Sequence, residues 1–107
     1  MRKRQNNQAR LLTAGEILEC LNRDAKLLHQ FGVTKIGLFG SFLHRSSHSR
    51  SDIDFLVAFD QPTFDRYMEL KFYLEDLFGR KVDLVIEQDL KPALHYLRKE
   101  AVYAEAV

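Results

Sequence analysis

Gly40 and Ser41 close a short apolar run, Val33 to Phe39, and with ten residues between, the chain continues Asp52-Ile53-Asp54. A strand that stops at glycine and turns offers bare backbone N–H groups, with no Cβ to block an approaching phosphate, and Ser41 adds a hydroxyl donor. Asp52 and Asp54, two residues apart on an extended segment, project to the same side. Carboxylates that close resist ionising together unless cations lie between them. Magnesium takes oxygen ligands in octahedral geometry and shares them with substrate phosphates. A carboxylate pair facing a phosphate cradle is therefore what metal-assisted phosphoryl or nucleotidyl transfer needs. Asp83 is a third acid, interrupting Val82, Leu84, Val85 and Ile86, where an unpaired charge is costly. If its strand lies beside that of Asp52 and Asp54, it completes a carboxylate triad for two metal ions. Plainer readings stand beside these: Asp52 as a strand-entry cap next to Ser51, and Asp83 as the ion-pair partner of Lys81 or Arg80.

The elements that must position these residues follow from periodicity and punctuation. Thr13-Ala14-Gly15-Glu16 has the form of a capping box, and Ile17, Leu18, Leu21, Ala25 and Leu28 follow at helical spacing up to Phe31-Gly32, which predicts a helix over about residues 14–30. Val33 to Phe39 is a strand, and Phe42-Leu43 begins a short helix that runs into a polar loop over 44–51. Asp52 to Phe59 is a second strand. Asp60-Gln61-Pro62-Thr63 is a turn in which Thr63 or Asp60 caps the next helix. Phe64, Tyr67, Met68, Leu70, Lys71, Leu74, Leu77 and Phe78 trace that amphipathic helix, ended by Gly79. Phe72 and Tyr73 fall outside its stripe. Lys81 to Ile86 is a third strand, Pro92 opens a last helix through Leu94 and Leu97, and Ala101-Val102-Tyr103 either extends it or forms an edge strand. The fold class is α/β (α+β), a mixed sheet of three or four strands packed by helices.

The chain has 107 residues, 46% hydrophobic and 29% charged, which suits one globular domain and excludes wholesale disorder. No apolar run reaches the length of a membrane span and no secretory signal is visible, so the expected compartment is the cytoplasm. The single cysteine, Cys20, makes neither an internal disulfide nor a zinc-site spacing and reads as a near-core side chain. Arg2, Lys3, Arg4 and Arg10 give the first ten residues +4, which leaves −3 for the remaining 97 under a formal net charge of +1. Residues 1–12 are expected as a basic flexible tail and 13–107 as a single domain. A body of that charge is not expected to bind nucleic acid directly. His44 and His48 read as solvated loop residues, His29 as a helix C-terminal cation, and His95 as a helix-surface residue.

At Gly40-Ser41, Asp52-Ile53-Asp54 and Gly79 to Val85 the chain resembles the minimal nucleotidyltransferases (MNT) of the DNA polymerase β superfamily, whose signature is Gly-Ser, ten residues, then Asp-x-Asp. The resemblance covers about residues 13–105, including the ending Glu100-Ala101-Val102-Tyr103. It implies a small polymerase β-type nucleotidyltransferase fold, with Asp52, Asp54 and Asp83 as catalytic and metal-binding carboxylates. Gly40 and Ser41 would hold nucleotide phosphates. Family members commonly carry Ala-Arg-Gly where this chain has Leu43-His44-Arg45, so the triphosphate arginine maps one residue later, onto Arg45.

The function implied is transfer of AMP from ATP, with two magnesium ions (or manganese), to a hydroxyl, most simply a tyrosine. The implied partner is a HEPN-type toxin in a hetero-oligomer, and the chain would act as its antitoxin. The alternative is a catalytically weak MNT-like antitoxin that neutralises its partner by binding alone. A length of 107 residues leaves no room for an acceptor-binding domain, so another polypeptide is expected to present the acceptor.

Overall fold

The computed structural model describes residues 12–44 and 52–107. Arg45, His48, the rest of the polar stretch up to Ser51, and all of the basic tail except Leu12 lie outside the described residues. The chain runs α1 (Ala14–Arg23), α2 (Ala25–Gln30), β1 (Val33–Phe39), β2 (Ile53–Phe59), α3 (Phe64–Phe78), β3 (Val82–Ile86), 3-10 turns at Glu87–Asp89 and Pro92–Leu94, α4 (Leu97–Glu100) and β4 (Val102–Tyr103). The capping box forms as expected: Glu16 N–H donates to the Thr13 hydroxyl at 3.1 Å, and Thr13 N–H donates to the Glu16 carboxylate at 3.0 Å. These bonds satisfy donors that the first helical turn leaves orphaned.

The single helix expected over 14–30 is two. Asp24, at φ −98 and ψ 22, leaves the helical well between α1 and α2. Its carboxylate accepts hydrogen bonds from the Tyr73 hydroxyl of α3 and from Arg23 Nε, so a tertiary contact fixes the break while the apolar spacing runs through it. Tyr73 therefore turns inward, with its ring 5.4 Å from that of Phe31, whereas Phe72 is 60% exposed. The last helix is also interrupted. After the Pro92–Leu94 turn only four residues form α4, and Ala101 at ψ 143 returns the chain to an extended path. That path is β4, which settles Ala101-Val102-Tyr103 as an edge strand.

The sheet has four strands in the order β3-β2-β1-β4. β1 is antiparallel to both β2 and β4, while β2 and β3 are parallel and joined through α3, the crossover that a parallel pair requires. Thr63, rather than Asp60, caps α3, accepting from Arg66 N–H at 3.2 Å; Asp60 takes the Arg66 guanidinium instead. Gly79 ends α3 in the left-handed conformation, φ 67, where a side chain would be strained. Lys71 and Glu75, on the inner side of α3, clasp the start of β3. Lys71 Nζ donates to Glu75 at 3.0 Å and to the Val82 carbonyl, and Glu75 accepts from Val82 N–H at 3.1 Å.

Alternation along the strands divides the core in two. Ile36, Leu38, Ile53, Phe55, Val57, Val82 and Leu84 face α1 to α3 and pack with Ile17, Leu21, Leu28, Leu70, Leu74 and Phe78. On the opposite face, Leu56 packs under Leu90, Leu97 and Ala101, with Phe39, Val85 and Tyr103 at its margin. Among the described residues no helix is long and apolar enough to cross a membrane.

Gly37 lies beneath that second cluster: a Cβ there would stand 2.9 Å from a Tyr103 ring carbon and 3.2 Å from the Ala101 Cβ. Gly37→Ala should therefore lower stability by about 1–3 kcal/mol through overpacking. Gly15→Ala, with only the Thr13 hydroxyl at 3.9 Å, should raise it by up to about 1 kcal/mol through helix propensity. Urea denaturation of the two variants reads both signs.

Candidate active site

Strand register brings the sequence-predicted residues to one end of the sheet. Phe39 is level with Asp54 across the β1–β2 pair, and Asp54 is level with Asp83 across β2–β3. Gly40 and Ser41 follow directly at the end of β1. Cross-strand partners share a face, so Asp54 and Asp83 stand side by side with Leu56 and Val85, on the face away from α1 to α3. Asp52, two residues earlier, belongs to the same side of β2.

Gly40 explains the approach of the turn to this pair. Its φ is +83, and a Cβ built there would overlap the Asp54 carboxylate. A side chain is thus excluded twice, by backbone conformation and by space. The Gly40 carbonyl accepts from the N–H groups of Leu43 and His44, both at 3.1 Å, which winds residues 41–44 into a single turn where a short helix was expected. His44 is not simply solvated: its Nε2 lies 3.4 Å from the Glu100 carboxylate of α4.

The acids are unequal. Asp83 and Asp52 are exposed, and Asp54 is half-buried. Burial, reinforced by the charges of Asp83 and Asp52, holds the Asp54 carboxyl above the usual carboxylate range. The plain alternative for Asp83 does not form, since no ion pair joins it to Lys81 or Arg80 among the described residues. Among the described residues no three His, Cys, Asp or Glu side chains are placed to hold a metal ion between them, so Asp52, Asp54 and Asp83 do not form the closed carboxylate triad expected from the sequence. Magnesium needs no closed triad, because it is held through one or two carboxylates together with substrate phosphates. The all-oxygen donor set and the strained ionisation of Asp54 fit such a hard cation. Arg80, considered from the sequence only as a partner for Asp83, lies instead with its guanidinium carbon 5.1 Å from the centroid of the Phe42 ring. The signal available was a cation between a helix-ending glycine and the strand of Asp83.

Residues 22–103 match the polymerase beta nucleotidyltransferase family. The chain belongs to this family. It is a nucleotidyltransferase domain, 40% identical over 96 residues to the protein adenylyltransferase MntA of Thermococcus cleftensis, an alignment covering 87% of this chain and 97% of that protein. A structure described as a minimal nucleotidyltransferase superposes with a TM-score of 0.73 at 30% identity, covering 85% of this chain and 95% of the other. A toxin–antitoxin crystallised with AMP-PNP gives 0.65 at 26% identity, covering 78% and 70%. The mixed four-stranded sheet packed by helices is this nucleotidyltransferase fold.

The raised value of Asp54 carries a stability consequence. A carboxyl whose folded value lies above its unfolded one destabilises the fold when ionised, and that penalty fades as pH falls through the raised value. Asp54→Asn should therefore be more stable than the wild type at neutral pH, and the difference should vanish on acidification. Urea midpoints across that pH range test the sign.

Proposed function

We propose that this nucleotidyltransferase moves AMP from ATP, with magnesium, onto a tyrosine hydroxyl of a HEPN-type toxin and thereby acts as its antitoxin in the cytoplasm. The observation that carries the reading is the register placing Asp54 beside Asp83 immediately behind the Gly40-Ser41 turn. The adenylyltransferase and toxin–antitoxin relatives support it.

In this reading Gly40 and Ser41 receive the β- and γ-phosphates, because the missing side chain at Gly40 leaves backbone accessible to an anion. Asp52 and Asp54 would hold two magnesium ions together with the triphosphate, and Asp83 would complete the set for one of them. Bound there, the cations supply charge neutralisation at the α-phosphate and a lowered pKa for the attacking hydroxyl. Asp83, exposed beside Asp54, would accept the hydroxyl proton. The new bond joins the tyrosine oxygen to the α-phosphorus, and the bond from that phosphorus to pyrophosphate breaks. The product gains a phosphodiester charge and a bulky base, both unfavourable to an RNA backbone entering a nuclease cleft.

Purified chain, candidate toxin, magnesium and ATP labelled at the α-phosphate should yield label on the toxin, lost in chelator. Asp54→Asn and Asp83→Asn should each lower transfer by at least about 100-fold, the upper end of what outer-shell metal partners cost. If the Asp52→Asn, Asp54→Asn double variant silences the toxin as well as the wild type does and no label transfers, silencing is by contact alone and the proposal fails.

A further inference from the structure

β3 is the outer strand of the sheet, and the clasp of Lys71 and Glu75 covers its edge only at Val82. The Lys81 carbonyl accepts from Ile53 N–H at 3.0 Å, so Lys81, Asp83 and Val85 bond to β2 in this parallel pair. Their neighbours Leu84 and Ile86 direct backbone groups outward. Among the described residues nothing pairs with the outward N–H and C=O of Leu84 or with the N–H of Ile86. This open edge is the floor of a groove. Tyr67 of α3 stands on one side and Leu90, Lys91 and Leu94 on the other, around a cavity of about 400 Å³ that Leu84 and Ile86 also line. On α3, Phe64, Met68 and Phe72 recur at four-residue spacing, in the row next to Tyr67, Lys71 and Glu75. Phe64 is 76% and Phe72 60% exposed, so an apolar shoulder continues the groove past the edge. Beyond the shoulder Asp65, Glu69 and Asp76 of α3 are all exposed.

An open strand edge between a helix and an apolar cavity takes an extended peptide as an added strand: main-chain hydrogen bonds hold it, and pockets receive alternate side chains. The groove also leads to the acids. Val85, which lines the cavity, lies on the same face of β3 as Asp83 and about 7 Å further along, at roughly 3.3 Å per residue. A side chain of an added strand level with Val85 shares that face, and a tyrosine there spans the distance to Asp83. We propose that the outer edge of β3, with the cavity beside it, is the docking groove for the acceptor protein, which adds an extended segment as a further strand and so presents its hydroxyl at Asp83. The inference rests on the nucleotidyl-transfer reading of the site. Charge complementarity selects the occupant. An RNA-cleaving acceptor carries a basic surface, which the acids of α3 flanking the groove attract. A second copy of this chain, paired β3 to β3 about a two-fold axis, would instead set Asp65, Glu69 and Asp76 against the same acids.

Steady-state transfer with purified toxin, magnesium and ATP separates docking from chemistry. Leu94→Glu, which puts a charge on the cavity rim at a residue 40% exposed, should raise KM for the toxin about 10-fold or more and leave KM for ATP unchanged. Phe64→Ser should give the same split by a smaller factor. Leu27→Glu, at a comparably exposed leucine of α2 (38%), should change neither. In amide exchange followed by NMR, Leu84 should exchange faster than Val82 in the free chain and slow by about 10-fold or more when toxin and α,β-methylene ATP are added. Equal rises in both KM values, an unchanged KM for the toxin in both groove variants, or a Leu84 amide already protected in the free chain overturns the inference. Should Leu94→Glu not fold, Phe64→Ser and the Leu84 amide decide by the same criteria. A wild type that labels no toxin removes the nucleotidyl-transfer reading together with the inference, whereas labelling untouched by the groove variants removes the inference alone.

Discussion

Parallel pairing of β2 with β3 sets Asp54 level with Asp83, and neighbouring strands lie about 4.8 Å apart. Two unit charges at roughly 5 Å repel by about 3 kcal/mol at an effective dielectric near 20, a value that solvent at the exposed Asp83 lowers further. The register persists because the other face of the same strands favours it. Ile53, Phe55 and Val57 of β2 are wholly buried against the helices, and full burial of such a side chain stabilises by about 1.5–3 kcal/mol. A slip of one residue would send all three to the opposite face. The acids are thus held in opposition by hydrophobic packing, and the site is assembled before any ligand arrives.

Once that register is imposed, the remaining features fall into place around it. Gly40 must lack a side chain because Asp54 already fills the space. α3 must end at Gly79 so that β3 starts level with β2. The segment from Glu87 to Ala101 covers Leu56 and the neighbouring part of the sheet with Leu90, Leu97 and Ala101. It leaves Asp52 and Asp83 in contact with water, where a nucleotide can reach them.

Much of this was legible in the residues. The capping box at Thr13, the cap at Thr63 and the glycine that ends α3 are local chemistry, and local chemistry is written in short stretches of chain. The spacing from Gly40-Ser41 to Asp52 and Asp54 was equally visible, and the place of Asp83 beside them needed only the assumption that their strands are neighbours. What escaped depends on distant partners. Asp24 breaks the first helix because Tyr73, far along the chain, reaches its carboxylate. Val102-Tyr103 becomes a strand because the outer edge of β1 is available to it. Arg80 was seen as a charge seeking a counter-charge, because nothing in the order of residues places Phe42 beneath it.

The clasp of Lys71 and Glu75 on Val82 has an effect beyond α3. β3 is an outer strand of the sheet, and an outer strand with open amides is a template on which another chain can add, leading to domain swapping or fibrils. In a parallel strand alternate residues direct both backbone groups to the same side, and Val82 directs its pair outward, where a lysine and a carboxylate consume them. An incoming strand would have to displace a paired charge before its first hydrogen bond. The end of β3 nearest Asp83 is thereby guarded against self-association.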